Sequence, residues 1–189
     1  MKVEGWEQRY RAEAEVADDS VPEPTPLVER FLSRAQPGRA LDLAAGTGRN
    51  TIWLAQRGWD VTAVDGAFTA IDTLRKRSAR LGLSVRTVVA DLQNRAYEIK
   101  PASWDAIVVC YYLQRDLIEP AKLGVRPGGF LIMIVHTTED DERPTETRMS
   151  PGELAKYFDA WEILHQYEGK PNDPEHRRSV AEIVARRPE

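Results

Sequence analysis

Short runs of apolar residues alternate with longer stretches in which apolar positions recur every three or four residues, and the rhythm holds from Arg39 to His136. Runs bounded by turn residues predict strands, and three- or four-residue spacing predicts amphipathic helices. Strands are expected at 40–44, 60–64, 84–90, 104–111 and 130–136, and helices at 49–57 and 114–123. Between the second and third strands, Ala67, Ala70, Ile71, Leu74 and Leu81 mark one side of a further helix. An earlier helix starts at Pro26, where the missing N–H of a first-turn proline costs nothing, with Thr25 as its N-cap. Leu27, Val28, Phe31, Leu32 and Ala35 form its apolar side, and Pro37-Gly38 ends it.

Strands such as AIVVC and FLIMIV are apolar at consecutive positions, so neither of their faces suits water. They predict a mostly parallel sheet covered by helices on both sides, a doubly wound α/β fold. Beyond residue 150 the pattern changes. SPGELAKYF reads as a capped short helix, and WEILHQYE and SVAEIVAR alternate as strands do. They predict an antiparallel hairpin at one sheet edge, joined by the polar GKPNDPEHRR. The polar opening, residues 1–22, is expected as a cover segment, with Trp6, Arg9 and Tyr10 folded across a ligand. Residues 137–150, TTEDDERPTETRMS, form a loop long enough to serve as a lid. Arg143 and Arg148 there can grip an anionic ligand, although Glu139, Asp140, Asp141, Glu142 and Glu146 dilute their field.

The length of 189 residues suits one domain, 1–189. A composition of 42% hydrophobic and 30% charged residues with net charge −4 is that of an ordinary globular protein, and its acidity argues against nonspecific nucleic-acid binding. RKRSAR, Arg75 to Arg80, is basic but is expected on the solvent face of its helix. No stretch approaches the roughly 20 apolar residues of a membrane helix, and MKVEGWEQRY lacks the apolar centre of a secretory signal. The single cysteine, Cys110, excludes an internal disulfide and a cysteine-based zinc cluster, and His165 and His176 have no metal-ligand spacing. The expectation is a cytoplasmic monomer or weak homodimer with no metal, nucleic acid or membrane partner.

Chemistry concentrates in ALDLAAGTGRN. Gly46 and Gly48 follow the first strand, at the carboxyl end where doubly wound sheets bind ligands, and bare backbone there lets a ligand come close. A phosphate loop would need Gly-x-x-x-x-Gly-Lys followed by Ser or Thr, and no lysine occurs between Lys2 and Lys76. A dinucleotide fingerprint would need a third glycine where Thr51 stands. Asp65 ends the second strand, where a carboxylate accepts ribose hydroxyls; such charged hydrogen bonds are worth about 1.5–3 kcal/mol, and any adenosine ligand would use them. Asp42 discriminates better: inside the first strand, it would repel phosphates and attract an ammonium or sulfonium. Asp91 ends the third strand, placed to accept from an adenine amino group with Leu92 against the ring.

Taken together, LDLAAGTGR, VTAVDGA, VVADLQ, WDAIVVCYYL and VRPGGFLIMIV resemble, in order, the motifs of class I S-adenosylmethionine-dependent methyltransferases. WEQRY, GRNTIWLAQRGWDVTAVD, MSPGELAKYF and RRSVAEIVARRPE narrow the resemblance to the tellurite-resistance type, related to thiopurine methyltransferases. The resemblance implies a single Rossmann-like domain of seven strands that takes S-adenosyl-L-methionine and methylates a small molecule such as a thiol or metalloid oxyanion. It implies that Asp42, Ala44, Gly46, Gly48, Arg49 and Asn50 border the methionine part, Asp65 and Gly66 the ribose, and Asp91 and Leu92 the adenine. Cys110 and Tyr111 would lie near the donor methyl. Many members have glycine at the position of Ala44; with ordinary dihedrals there, the turn survives the change.

Transfer from a sulfonium releases a neutral leaving group, so alignment does much of the work and a base matters only for an acceptor that must lose a proton. No catalytic group is assigned; His136, Tyr111 and Tyr10 are the candidates. Cys110 closes an apolar run and reads as core rather than nucleophile. Strand alternation allows only one of Tyr111 and Tyr112 to face the crevice, and the family pattern favours Tyr111. Two other functions stay open: an NAD-linked oxidoreductase using a residue such as His136, and a non-catalytic S-adenosylmethionine-binding regulatory protein.

Overall fold

The computed structural model describes residues 2–16, 20, 22–139 and 142–189. Strands β1 (Arg39–Leu43), β2 (Asp60–Asp65), β3 (Arg86–Val89), β4 (Trp104–Cys110), β5 (Val125–His136), β6 (Glu162–Gly169) and β7 (Val180–Arg186) form one sheet. Its order is β3-β2-β1-β4-β5-β7-β6. The first five strands pair in parallel, whereas β7 runs antiparallel to both β5 and β6. The expected doubly wound α/β sheet with an antiparallel edge hairpin is therefore present.

Alternation through the central strands explains their unbroken apolarity. Leu41, Ile107, Val109, Leu131, Met133 and Ile183 point into one core, and Ala40, Val108, Ile132, Ile134 and Val184 into the other. Helix α5 (Arg115–Gly124) and a short 3-10 turn (Leu154–Phe158) cover the first face. Helices α2 (Pro26–Leu32) and α3 (Arg49–Gln56) cover the second. Helix α4 (Phe68–Arg80) packs Ile71 and Leu74 against Ile52 and Ala63. Each fully buried leucine or isoleucine contributes roughly 1.5–3 kcal/mol, so the two-sided burial of the sheet fixes the positions of its strand ends.

The opening segment contains a helix, α1 (Val3–Val16), docked against α4; Met1, residues 17–19 and Val21 of the expected cover lie outside the described residues. Several expectations need correction. The SPGELAKYF segment supplies one 3-10 turn in place of a capped α-helix: no side chain caps it, and Ser150 N–H instead donates to Glu153 Oε2. β5 begins at Val125 rather than Phe130. Leu81 lies past the end of α4 and is largely exposed. Arg77 leaves the expected solvent face and is buried, its guanidinium 3.4 Å from the Thr47 carbonyl. No helix among the described residues is long and apolar enough to cross a membrane.

Candidate functional site

The carboxyl ends of β1, β2, β3 and β4 open into a cavity of about 250 Å³. Every residue expected to border the donor lines it: Asp42, Ala44, Gly46, Gly48, Arg49 and Asn50, then Asp65, Gly66, Asp91, Leu92, Cys110 and Tyr111.

The glycine turn is built by left-handed backbone. Gly46 has φ +55° and Gly48 φ +89°, and a Cβ on Gly48 would fall on Leu74. Gly48 is the N-cap of α3 and has no side chain to offer its free N–H groups, which leaves that end open. Ala44 also has φ +55°, so the expectation of ordinary dihedrals fails there. An L-residue with a Cβ carries about 1–2 kcal/mol of strain in that region, held in place by the surrounding β1–β2 register.

Asp65 shapes the turn as much as it offers itself to a ligand. Its Oδ2 accepts from Gly46 N–H at 2.8 Å and its Oδ1 from Ala67 N–H at 2.8 Å. Burial raises its pKa, against the lowering effect of these backbone donors. Asp42 is more isolated: 2% exposed, it receives the Thr51 hydroxyl at 2.6 Å. Burial pushes its pKa up to about 7, with the Thr51 bond opposing and Asp65 adding to the rise. A buried carboxylate whose pKa stays raised despite Thr51 and the Arg49 charge is a seat for a cation and a poor neighbour for phosphate. Asp91 is committed locally, accepting from Gln93 N–H at 2.9 Å and Asn94 Nδ2 at 2.6 Å. Asn50 accepts from Thr25 N–H at 2.8 Å and so ties the start of α2 to the cavity.

Trp6, Arg9 and Tyr10 of α1 line the opposite wall, with the rings of Trp6 and Tyr10 stacked 6.0 Å apart. Glu7 fastens this helix down: its carboxylate accepts from Thr69 N–H at 3.1 Å and Thr69 Oγ1 at 2.6 Å, at the uncapped start of α4. Tyr111 and Tyr112 both line the cavity, against the expectation that only one would. The reason is backbone: β4 ends at Cys110 and Tyr111 has φ +60°, so strand alternation no longer applies.

The loop 137–150 does not line the cavity in its described part; Asp140 and Asp141 lie outside the described residues. Met149 N–H donates to His136 O, and the Arg115 guanidinium donates to the carbonyls of Thr145 and Arg148. Arg148 pairs with Glu142 at 2.6 Å, and Arg143 is exposed. The connection between β6 and β7 comes to the cavity instead, bringing Glu175 and His176 onto its wall. Arg49 meets Asp173 at 2.7 Å and Glu175 at 3.0 Å, and Tyr111 donates its hydroxyl to Asp173 at 2.9 Å. The His176 ring lies flat on Tyr111, centroids 3.3 Å apart and planes within 6°. Sequence reading missed Asp173, Glu175 and His176. The available signal was length: a connection from 170 to 179 is far longer than the 2–5 residues of most hairpins.

Of the titratable walls, the Tyr10 and Tyr111 phenols are pushed above their ordinary range by burial and neighbouring carboxylates. Burial, with Asp42 adding, takes the Cys110 thiol to about 12, which makes it an inert wall group. His176 is lowered to about 4 by burial and is neutral near pH 7. Burial also lowers His136, which does not line the cavity; its ring is 5.6 Å from Tyr111 and 5.7 Å from His176.

Residues 27–175 match the family described as tellurite resistance protein TehB. A probable S-adenosyl-L-methionine-dependent methyltransferase TehB of Haemophilus influenzae is 27% identical over 139 residues, covering 70% of this chain and 49% of that protein. Hemagglutinin 1 of Eikenella corrodens is 32% identical over 144 residues, 72% of this chain and 48% of that one. The chain thus spans about half the length of these relatives. In shape it is similar to the crystal structure of TehB from Haemophilus influenzae, with a TM-score of 0.74, 23% identity, and coverage of 96% of this chain and 67% of that one. A Burkholderia thailandensis 1,6-didemethyltoxoflavin-N1-methyltransferase, solved with 1,6-didemethyltoxoflavin and S-adenosylhomocysteine, superposes with a TM-score of 0.72 and 20% identity over 99% of this chain and 87% of its own. These two likenesses bear on the fold.

Proposed function

The chain belongs to the TehB family, and from that premise we propose that it transfers a methyl group from S-adenosyl-L-methionine to a small-molecule acceptor in the cytoplasm. The observation that carries the reading is Asp42: a buried carboxylate with one hydroxyl donor, beside an open helix N-terminus and glycine backbone. The set suits a ligand that is cationic at one end, carries a carboxylate and lacks phosphates.

S-adenosylmethionine bound there supplies an electrophilic methyl group on a positively charged sulfur. The chain's residues bind and orient around it. Asp42 would face the cationic end, the α3 N-terminus would receive a carboxylate, and the second lone pairs of Asp65 would accept ribose hydroxyls. Leu92 and Tyr112 flank the adenine side, and α1 screens the cavity from water through Trp6 and Tyr10.

The acceptor fits a soft nucleophile, a thiol or a metalloid oxyanion. Among the described residues the walls offer His176 as a neutral base beside several carboxylates, while the phenols and the Cys110 thiol hold their protons. An acceptor atom with its own free lone pair needs no more than that. Support for a small molecule comes from the modest cavity and from the substrate named in the Burkholderia structure.

Calorimetry with S-adenosylmethionine, S-adenosylhomocysteine and NAD in one buffer tests the reading. Saturable binding of the first two without NAD is the expected result. Binding of NAD alone would overturn it, and binding of none would point to an interaction protein that has kept the fold.

A further inference from the structure

We propose that Asp173 is the positioning residue of the acceptor side: its carboxylate fastens the β6–β7 connection to Arg49 and Tyr111 at once, and the turn it starts lays His176 on the face of Tyr111. The function of that arrangement rests on the methyl-transfer reading, but its geometry does not.

Four bonds converge on this residue, which is 4% exposed. Oδ2 accepts from Arg49 Nη2 at 2.7 Å and from the Tyr111 hydroxyl at 2.9 Å. Oδ1 accepts from Glu175 N–H at 3.1 Å, and the main-chain carbonyl accepts from His176 N–H at 3.1 Å. The first pair attaches the connection to the cavity wall, and the second pair curls the chain so that residue 176 returns over Tyr111. Removing one partner of a buried charged pair costs far more than the pair is worth, because the other charge is left bare.

The outer ends of the connection are anchored elsewhere. Lys170 pairs with Glu139, and Ser179 N–H donates to the same carboxylate at 2.8 Å. Asp173 therefore governs the middle of the connection. It also stands on a boundary: Tyr111 lines the donor cavity and, with Asp173, a second cavity of about 550 Å³ whose far side carries Thr25, Arg30, His165 and Glu182. Where Asp173 holds Tyr111, the two spaces are divided, and the acceptor side is a defined wall instead of an open trough.

The test reads the imidazole of His176 by NMR in the 189-residue chain, together with S-adenosylhomocysteine binding by calorimetry. In the wild type, the ring current of Tyr111 moves the His176 C–H resonances upfield. In Asp173→Asn, which keeps size and removes charge, they are expected to move to the position of a free histidine and to titrate near the ordinary value. Charge loss with the ring still in place has the opposite sign: Asp173 favours the protonated imidazole, so the titration would fall lower still and the upfield shift would persist. That outcome overturns the proposal. If Asp173→Asn does not fold, Tyr111→Phe removes only the hydroxyl; a partial downfield return is expected, and unchanged His176 resonances overturn the proposal. A wild-type protein that fails to bind S-adenosylhomocysteine would refute the donor reading and leave the His176 resonances to decide the docking.

Discussion

Thr51 gives its hydroxyl to Asp42 across 2.6 Å, at the position where a dinucleotide fingerprint would carry its third glycine. The departure from that fingerprint is thus a polar contact between α3 and β1 that a glycine would abolish. It spends the side chain on holding a buried carboxylate. Thr51→Val keeps the shape and removes the donor. S-adenosylhomocysteine affinity is expected to fall about tenfold, within the range for a buried charged group deprived of its hydrogen bond, and Thr51→Ser to restore most of it. Unchanged affinity in Thr51→Val would separate Asp42 from the ligand.

Asp42 should also leave a mark on stability. Its folded pKa, about 7, lies above the ordinary carboxylate value near 4, so between those limits the folded ligand-free protein holds a proton that the unfolded chain has released. Its contribution is full below about pH 4 and is lost as the pH rises to about 7. His176 and His136 are lowered and act in the opposite direction over much of this window. The informative quantity is a difference: the melting temperature of Asp42→Asn minus that of wild type should rise steadily from pH 4.5 to 7 and then level off. A flat difference would mean that Asp42 is ionised throughout.

Ala44→Gly relaxes a left-handed residue. Relief of strain outweighs the extra freedom of the unfolded chain by roughly 0.5–1 kcal/mol, which for a domain of this size means a rise of about 1–4 °C in Tm. Thermal melts of the ligand-free protein check it. A fall in Tm would show that the Ala44 methyl has packing value beyond its strain.

Glu7→Ala unfastens α1 from α4. The glutamate acts as an external cap on a helix whose own N-cap, Ala67, has none to give, so the loss is about 1 kcal/mol. Its carboxyl is held below the ordinary range first by the Thr69 hydroxyl, so the contribution is present above that range and vanishes as pH falls through the lowered value. Hydrogen exchange should speed up in residues 3–16 and leave the sheet unaffected. Equal protection in both proteins would mean that α1 is held by its apolar contacts alone.

Much of this was legible because the physics is local. The central strands β4 and β5 declare themselves by consecutive apolar residues, and a glycine turn with acids at three strand ends declares a cavity. What escaped depends on relations the chain cannot express nearby. In α1, Val3, Trp6 and Tyr10 have helical spacing, yet they face a cavity rather than a core and stand in a charged background. Tyr112 joins Tyr111 because one backbone angle breaks the alternation. Both 137–150 and the connection after Gly169 read as polar loops; which one turns inward is decided by Arg49 and Arg115, partners far away in sequence.

The reversal of β7 has an architectural outcome. With Gly169 and Val180 side by side next to His136, both ends of the late connection emerge on the rim where the parallel strands finish. Its length can grow or shrink without shifting a single strand pairing, since β6 and β7 close on each other in either case. The fold therefore keeps its glycine-turn half contiguous in the first two-thirds of the chain, and hands the remaining wall to a segment that evolution or an engineer can exchange as a cassette.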